Sequence, residues 1–231
     1  MFRAIVFDLD HTLFDRYATL RATLPAFYDH YRDIIPKDLS VEEFIEKFIE
    51  IEQKYIHYDW IRVIKECANA GIISPMTEDE VKEAVGVIVN ECWPIAAEKF
   101  PFTIPTLLKL KEMGYKLGII TNGRHEPQVL KIKMLDLEDL FDEIVISGDI
   151  GAQKPSPEPF KAMAEKIGID PKEMLYVGDH PRNDVDGSRN AGYIPVWVKT
   201  IKHWTFEEIK RADYEIDTVA ELPELLAKID K

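Results

Sequence analysis

The chain has 231 residues, 46% of them hydrophobic, which suffices to bury the core of one large domain or two modest ones and argues against a largely disordered chain. Its formal net charge of −13 would repel a polyanion and attract divalent cations, so nucleic acid is not an expected partner. Cys67 and Cys92 stand alone rather than in metal-ligand spacing. Neither a zinc site nor a disulfide framework is expected, and both read as buried thiols.

The opening MFRAIVFDLD lacks the basic region, long apolar stretch and cleavage site of a signal peptide, so a cytoplasmic location is expected. No later segment reaches the roughly 18 apolar residues of a membrane helix. The first apolar run, Ala4 to Phe7, ends in Asp8 and predicts a buried strand. From about Asp15 to Lys99 the pattern is helical, with no strand signal. Ser40 with Glu43, and Thr77 with Glu80, have capping-box spacing, while Asp29 to Pro36 and Gly71 to Pro75 read as breaks. Residues 15–99 are therefore expected to form an all-helical insertion. Its core would come from its aromatics: Tyr17, Phe27, Tyr28, Tyr31, Phe44, Phe48, Tyr55, Tyr58, Trp60 and Trp93.

From Phe102 onward strand-like runs at Leu117–Ile120, Ile144–Ile146, Leu175–Val177 and Ile194–Val198 alternate with helix-like stretches at Ile104–Met113, Pro127–Leu135, Pro157–Ile167 and Asp184–Ala191. Tyr214–Ile216 and Glu221–Ile229 add a candidate edge strand and closing helix. That rhythm predicts an α/β fold: a Rossmann-like parallel sheet with helices on both faces, built from residues 1–14 and 100–231.

In an open parallel sheet ligands bind beyond the carboxyl ends of the strands, and those positions here carry reactive side chains. Asp8, Asp10 and Thr12 follow the first run, Thr121-Asn122-Gly123 the second, Lys154-Pro155 the third, and Gly178-Asp179 through Asp184 the fourth. Singly, each is also an ordinary turn or surface residue. Together, three converging carboxylates (Asp8, Asp10, Asp179) would repel one another unless a cation stood among them.

In this order the residues resemble the four motifs of the haloacid dehalogenase superfamily, as Asp8-x-Asp10-x-Thr12, Thr121, Lys154 and Gly178-Asp179 to Asp184. Residues 15–99 look like the helical cap of that family's subfamily I phosphatase branch, so the resemblance spans nearly the whole chain. It implies a magnesium-dependent phosphomonoester hydrolase in which Asp8 attacks phosphorus and forms an aspartyl-phosphate. Asp10 would protonate the leaving oxygen and then activate water. Thr121, the backbone N–H of Asn122 and Lys154 would hold phosphoryl oxygens. Magnesium would take Asp8, the backbone carbonyl of Asp10 and Asp179, with Asp184 either a ligand through water or a support behind the ligands. The implied partner is a small phosphorylated metabolite, a sugar phosphate or nucleoside monophosphate, with the chain a monomer or homodimer and no membrane involved. A phosphomutase would show the same motifs, a 2-haloacid dehalogenase would generally lack Asp10, and a silent binding protein would have little use for the intact set. His11 and His180 flank motif aspartates and read as pocket wall rather than as acid or base, while Arg124, His125 and Arg182 read either as facing the phosphate or its organic group or as solvated residues.

Overall fold

The computed structural model describes residues 1–55, 60–92, 96–199, 204 and 206–230. Tyr58, Trp93 and the Cys92 side chain lie outside that description. The chain divides into two compact units, Met1–Asp15 with Lys99–Lys231, and Arg16–Glu98.

The first unit is a six-stranded sheet with every pair parallel: β1 Ala4–Phe7, β2 Lys116–Thr121, β3 Glu143–Ile146, β4 Met174–Gly178, β5 Ile194–Val198 and β6 Tyr214–Ile216, in the order β3-β2-β1-β4-β5-β6. The expected parallel α/β sheet, edge strand included, is present. β1 is four fully buried residues, which suits a strand flanked on both edges and covered on both faces. The chain runs from β1 to β2 and β3 on one side and then crosses to β4, so β1 is the switch point. Phe7 pairs with Ile119 of β2 and Val177 of β4, and the next N–H, that of Asp8, donates to the Val177 carbonyl at 2.9 Å. The register thus delivers Asp8 to the carboxyl edge of the sheet.

Alternation along the strands sends Ala4, Val6, Ile120 and Tyr176 to one face, where they meet Phe160, Met163 and Ile167 of the helix Glu158–Ile167. The Phe160 ring lies edge-on to Tyr176 and Tyr193 at 5.1 and 5.8 Å. Its truncation to Ala would cost on the order of 3–5 kcal/mol. Gly118 leaves room for Met163, whose sulfur would lie 2.8 Å from a Cβ there and would have to shift for any larger residue.

The other long helices of this unit are Thr103–Glu112, His125–Met134 and Leu222–Ile229, with a single turn at Ser147–Ile150 after β3. One expected helix is different: 184–191 divides into a π-helical turn, Pro181–Asp186, and a single turn, Gly187–Asn190. The His180 carbonyl accepts from both Asp184 N–H (2.9 Å) and Val185 N–H (3.3 Å), which widens the turn. Where the insertion departs and returns, Phe14 and Lys99 form an antiparallel bridge and the Thr103 hydroxyl donates to the Leu13 carbonyl at 2.7 Å.

The second unit is helical in its described residues: Arg16–His30, Val41–Tyr55, Trp60–Asn69 and Glu78–Gly86, the last continuing as a π-helix to Cys92. Both capping boxes form. Ser40 N–H donates to Glu43 Oε2 at 3.1 Å and Glu43 N–H to Ser40 Oγ at 3.2 Å, with the same reciprocity between Thr77 and Glu80. Gly71, at φ 72°, ends the third helix, and Ile72 N–H closes it onto the Cys67 carbonyl. Phe27, Phe44 and Phe48 form the aromatic centre, with centroids 5.8–6.2 Å apart. Beside it Arg16 pairs with the fully buried Glu52 at 2.5 Å and lies over the Trp60 ring. Burial pushes the Cys67 thiol well above its ordinary range.

Candidate active site

Lys154 is the hub of the carboxyl edge. Its ammonium, almost wholly buried, donates to Asp8 Oδ1 at 2.6 Å, Asp184 Oδ1 at 2.7 Å and the Tyr176 hydroxyl at 2.9 Å. The Asn122 side chain clamps the Lys154 backbone in both directions, Nδ2 donating to its carbonyl at 3.0 Å and Oδ1 accepting from its N–H at 2.9 Å. A loop after β2 therefore sets the position of a loop after β3. Asp184 is held from both ends, because its Oδ2 accepts from His180 N–H at 2.9 Å. Gly178 makes room for it, since a Cβ there would lie 2.6 Å from Asp184 Oδ2.

Asp8, Asp179 and Asp184 are all buried, and one oxygen from each lies within 4.8 Å of the others. Two of these carboxylates, Asp8 and Asp184, meet the Lys154 ammonium, and the third lies beside them. Burial, together with Asp184, Asp179 and Asp10, raises the Asp8 carboxyl from 3.8 to about 8 against the opposing pull of Lys154. Burial also opposes the charge on Lys154, but Asp184 and Asp8 outweigh it and hold that ammonium well above its ordinary range. A set of hard oxygen donors with surplus negative charge fits a divalent cation such as magnesium.

The Asp8 shift has a measurable consequence. A carboxyl raised in the fold stabilises the protein below its unfolded value near 4, and that contribution is lost as pH climbs through about 8. In chelator, Asp8→Asn is therefore expected to melt above wild type at pH 9, by on the order of 5 °C, with a much smaller gap at pH 4. Thermal melts of both proteins test this, and an equal gap at the two pH values would contradict it.

Asp10 is directed elsewhere. Its carboxylate takes Lys131 Nζ at 3.1 Å on Oδ1 and 2.9 Å on Oδ2, apart from the group of three acids. Thr12 Oγ1 reaches Asp8 Oδ2 at 3.5 Å, the limit of a hydrogen bond. Thr121 is buried at the end of β2, and its hydroxyl accepts from Gln128 Nε2, which also donates to the Asn122 carbonyl at 3.3 Å. His180 is a cap: its Nδ1 accepts from the N–H groups of Arg182 and Asn183, both at 3.1 Å. His11 holds a left-handed φ of 63° in the loop between Asp8 and Thr12. Arg182 pairs with exposed Glu208, and exposed His125 with Asp149.

Three contributors have no counterpart in the motif reading: Tyr176, Gln128 and Lys131. None of the three is marked in the sequence, and it is the fold that sets them apart. The helix His125–Met134 exposes Val129, Leu130 and Met134 while burying Gln128 and Lys131, an inverted pattern that asks for polar partners inside.

A family profile described as haloacid dehalogenase-like hydrolase matches residues 5–198. A glyceraldehyde 3-phosphate phosphatase of Methanopyrus kandleri is 30% identical, with the whole of both chains covered. Among solved structures, a haloacid dehalogenase phosphatase of Thermococcus onnurineus is 30% identical over 97% of each chain, with a TM-score of 0.64. The hydrolase YfnB of Bacillus subtilis shares the fold at a TM-score of 0.80 and 21% identity, covering 97% of this chain and 98% of its own.

Proposed function

As this chain belongs to the haloacid dehalogenase-like hydrolase family, we propose that it is a phosphatase that hydrolyses a small phosphorylated metabolite through an aspartyl-phosphate on Asp8. The observation that carries this reading is the convergence of Asp8, Asp179 and Asp184 at the switch point of the sheet, with Asp8 and Asp184 bonded to a buried lysine. An Asp8 oxygen attacks phosphorus, the bond to the ester oxygen breaks, and Asp10 gives that oxygen its proton. Water then attacks the same phosphorus, passes a proton to Asp10, and releases inorganic phosphate and the Asp8 carboxylate. Lys154, already bonded to Asp8, balances charge on the nucleophile and the transferring group, while Thr121 and the Asn122 N–H receive phosphoryl oxygens. Asp8, Asp179, Asp184 and the Asp10 carbonyl would hold magnesium, which supplies positive charge against the carboxylates and the phosphoryl oxygens.

The full-length similarity to a protein named for glyceraldehyde 3-phosphate favours a triose phosphate over larger sugar phosphates or nucleoside monophosphates. Residues 16–98 carry none of the groups assigned to phosphoryl transfer. The role of cap, selecting the organic part of the substrate, is assigned to them. Phosphate release from triose phosphates, hexose phosphates and nucleoside monophosphates with magnesium is the test. Highest kcat/KM on a triose phosphate is expected, and no release from any phosphomonoester would overturn the reading. Asp10→Asn is expected to lower kcat on alkyl phosphates by on the order of 10²-fold. Wild-type turnover by that variant would move the acid–base role to another residue.

A further inference from the structure

Lys131 sits on the helix His125–Met134 with a side chain only 3% exposed, while its helix neighbours Val129, Leu130 and Met134 meet solvent. Turning a lysine inward and leucine outward is unfavourable by transfer energy alone, so specific contacts must compensate the buried ammonium. Nζ lies 2.9 and 3.1 Å from the two oxygens of Asp10 and 5.1 Å from the centroid of the Phe14 ring. Phe14 is fully buried and bridged through its backbone to Asp10 and Lys99, so the ring forms a fixed wall. Asp10 itself is about one-fifth exposed, and the contact with both its oxygens restrains a side chain that packing alone leaves partly open.

One helical turn earlier Gln128 reaches the Thr121 hydroxyl and the Asn122 carbonyl. Residues three apart share a helix face, so one face of this helix touches the acid–base loop after β1 and the phosphate loop after β2. Lys154 is engaged with Asp8 and Asp184, whereas Lys131 is the lysine that meets Asp10.

We propose that Lys131 is a positioning residue for Asp10: by contacting both carboxylate oxygens it fixes the direction from which that group meets the departing ester oxygen and the attacking water. This rests on the acid–base role of Asp10 given above. A lysine that merely supported the fold would affect every substrate alike. One that aims Asp10 matters most where the leaving oxygen needs a proton.

The experiment compares glycerol phosphate, an alkyl ester with a poor leaving group, with nitrophenyl phosphate, whose phenolate departs without a proton. Lys131→Met is expected to lower kcat/KM on glycerol phosphate by on the order of 10²-fold and on nitrophenyl phosphate by less than about threefold. With nitrophenyl phosphate a burst of nitrophenol should precede a slower steady state, because water attack on the phosphoenzyme still depends on Asp10. Lys131→Arg should recover most of the loss. Added to Asp10→Asn, Lys131→Met should change the glycerol phosphate rate by less than about threefold, since the two act as one unit. That double variant leaves no buried charge alone, so it and the Arg variant carry the test if Lys131→Met does not fold. Parallel loss on both substrates, or further loss on the Asp10→Asn background, would overturn the proposal. Wild-type rates for Asp10→Asn alone would overturn both the acid–base role and the proposal, which separates that failure from a failure specific to Lys131.

Discussion

Asp8→Asn is expected to abolish turnover, by on the order of 10⁴-fold or more, in a protein that remains folded. The amide fills the volume of the carboxyl and keeps an oxygen for the 2.6 Å hydrogen bond from Lys154, so the packing at the end of β1 is retained. It cannot serve as the anionic nucleophile, and no phosphoenzyme can form on it. The loss should therefore appear in kcat for every phosphomonoester, whatever its leaving group. Two measurements check this: phosphate release with magnesium, and rapid-quench trapping of an acid-stable phosphoenzyme in wild type only. A folded Asp8→Asn protein working within tenfold of wild type would end the covalent assignment.

That residue could be singled out from sequence because its position depends on simple rules. A run such as AIVF, buried on both faces, identifies a central parallel strand, and the residue after it must emerge at the carboxyl edge. Thr121 ends β2 and Asp179 follows β4, at the same edge. The capping boxes at Ser40 and Thr77 were legible for a similar reason, since each involves residues only three apart.

What escaped depends on tertiary register. Tyr176 lies inside MLYVG and reads as a core residue, which its ring is, packed between Phe160 and Tyr193. Only the assembled sheet shows its hydroxyl meeting Lys154 and Asp184. Lys131 and Gln128 escaped because a helix in isolation does not reveal which face turns inward. The π-helical turn at 181–186 escaped because sharing of the His180 carbonyl between two N–H groups leaves no periodic trace.

Chelator is expected to remove turnover and magnesium to restore it, with calcium suppressing the magnesium-supported rate. The surplus of negative charge in the group of three acids leads to this result. Without a cation, burial and the neighbouring acids favour the protonated form of Asp8, in which the proposed nucleophile would not attack. Calcium, with a larger and more flexible shell, can take both oxygens of a carboxylate and so tie up the oxygen that must reach phosphorus. The structure also ranks the acids. Asp184 has Oδ1 bonded to Lys154 and Tyr176 and Oδ2 bonded to His180 N–H, so its loss should release Lys154 and lower kcat. Asp179 is fixed through its backbone, where Trp197 Nε1 donates to its carbonyl at 2.7 Å, and its side chain is assigned chiefly to the cation. Asp179→Ala should accordingly raise the magnesium concentration for half-maximal activity by about 10–100-fold, more than Asp184→Ala does. Magnesium titrations of the two variants decide the matter, and the opposite order would exchange the roles of the two aspartates.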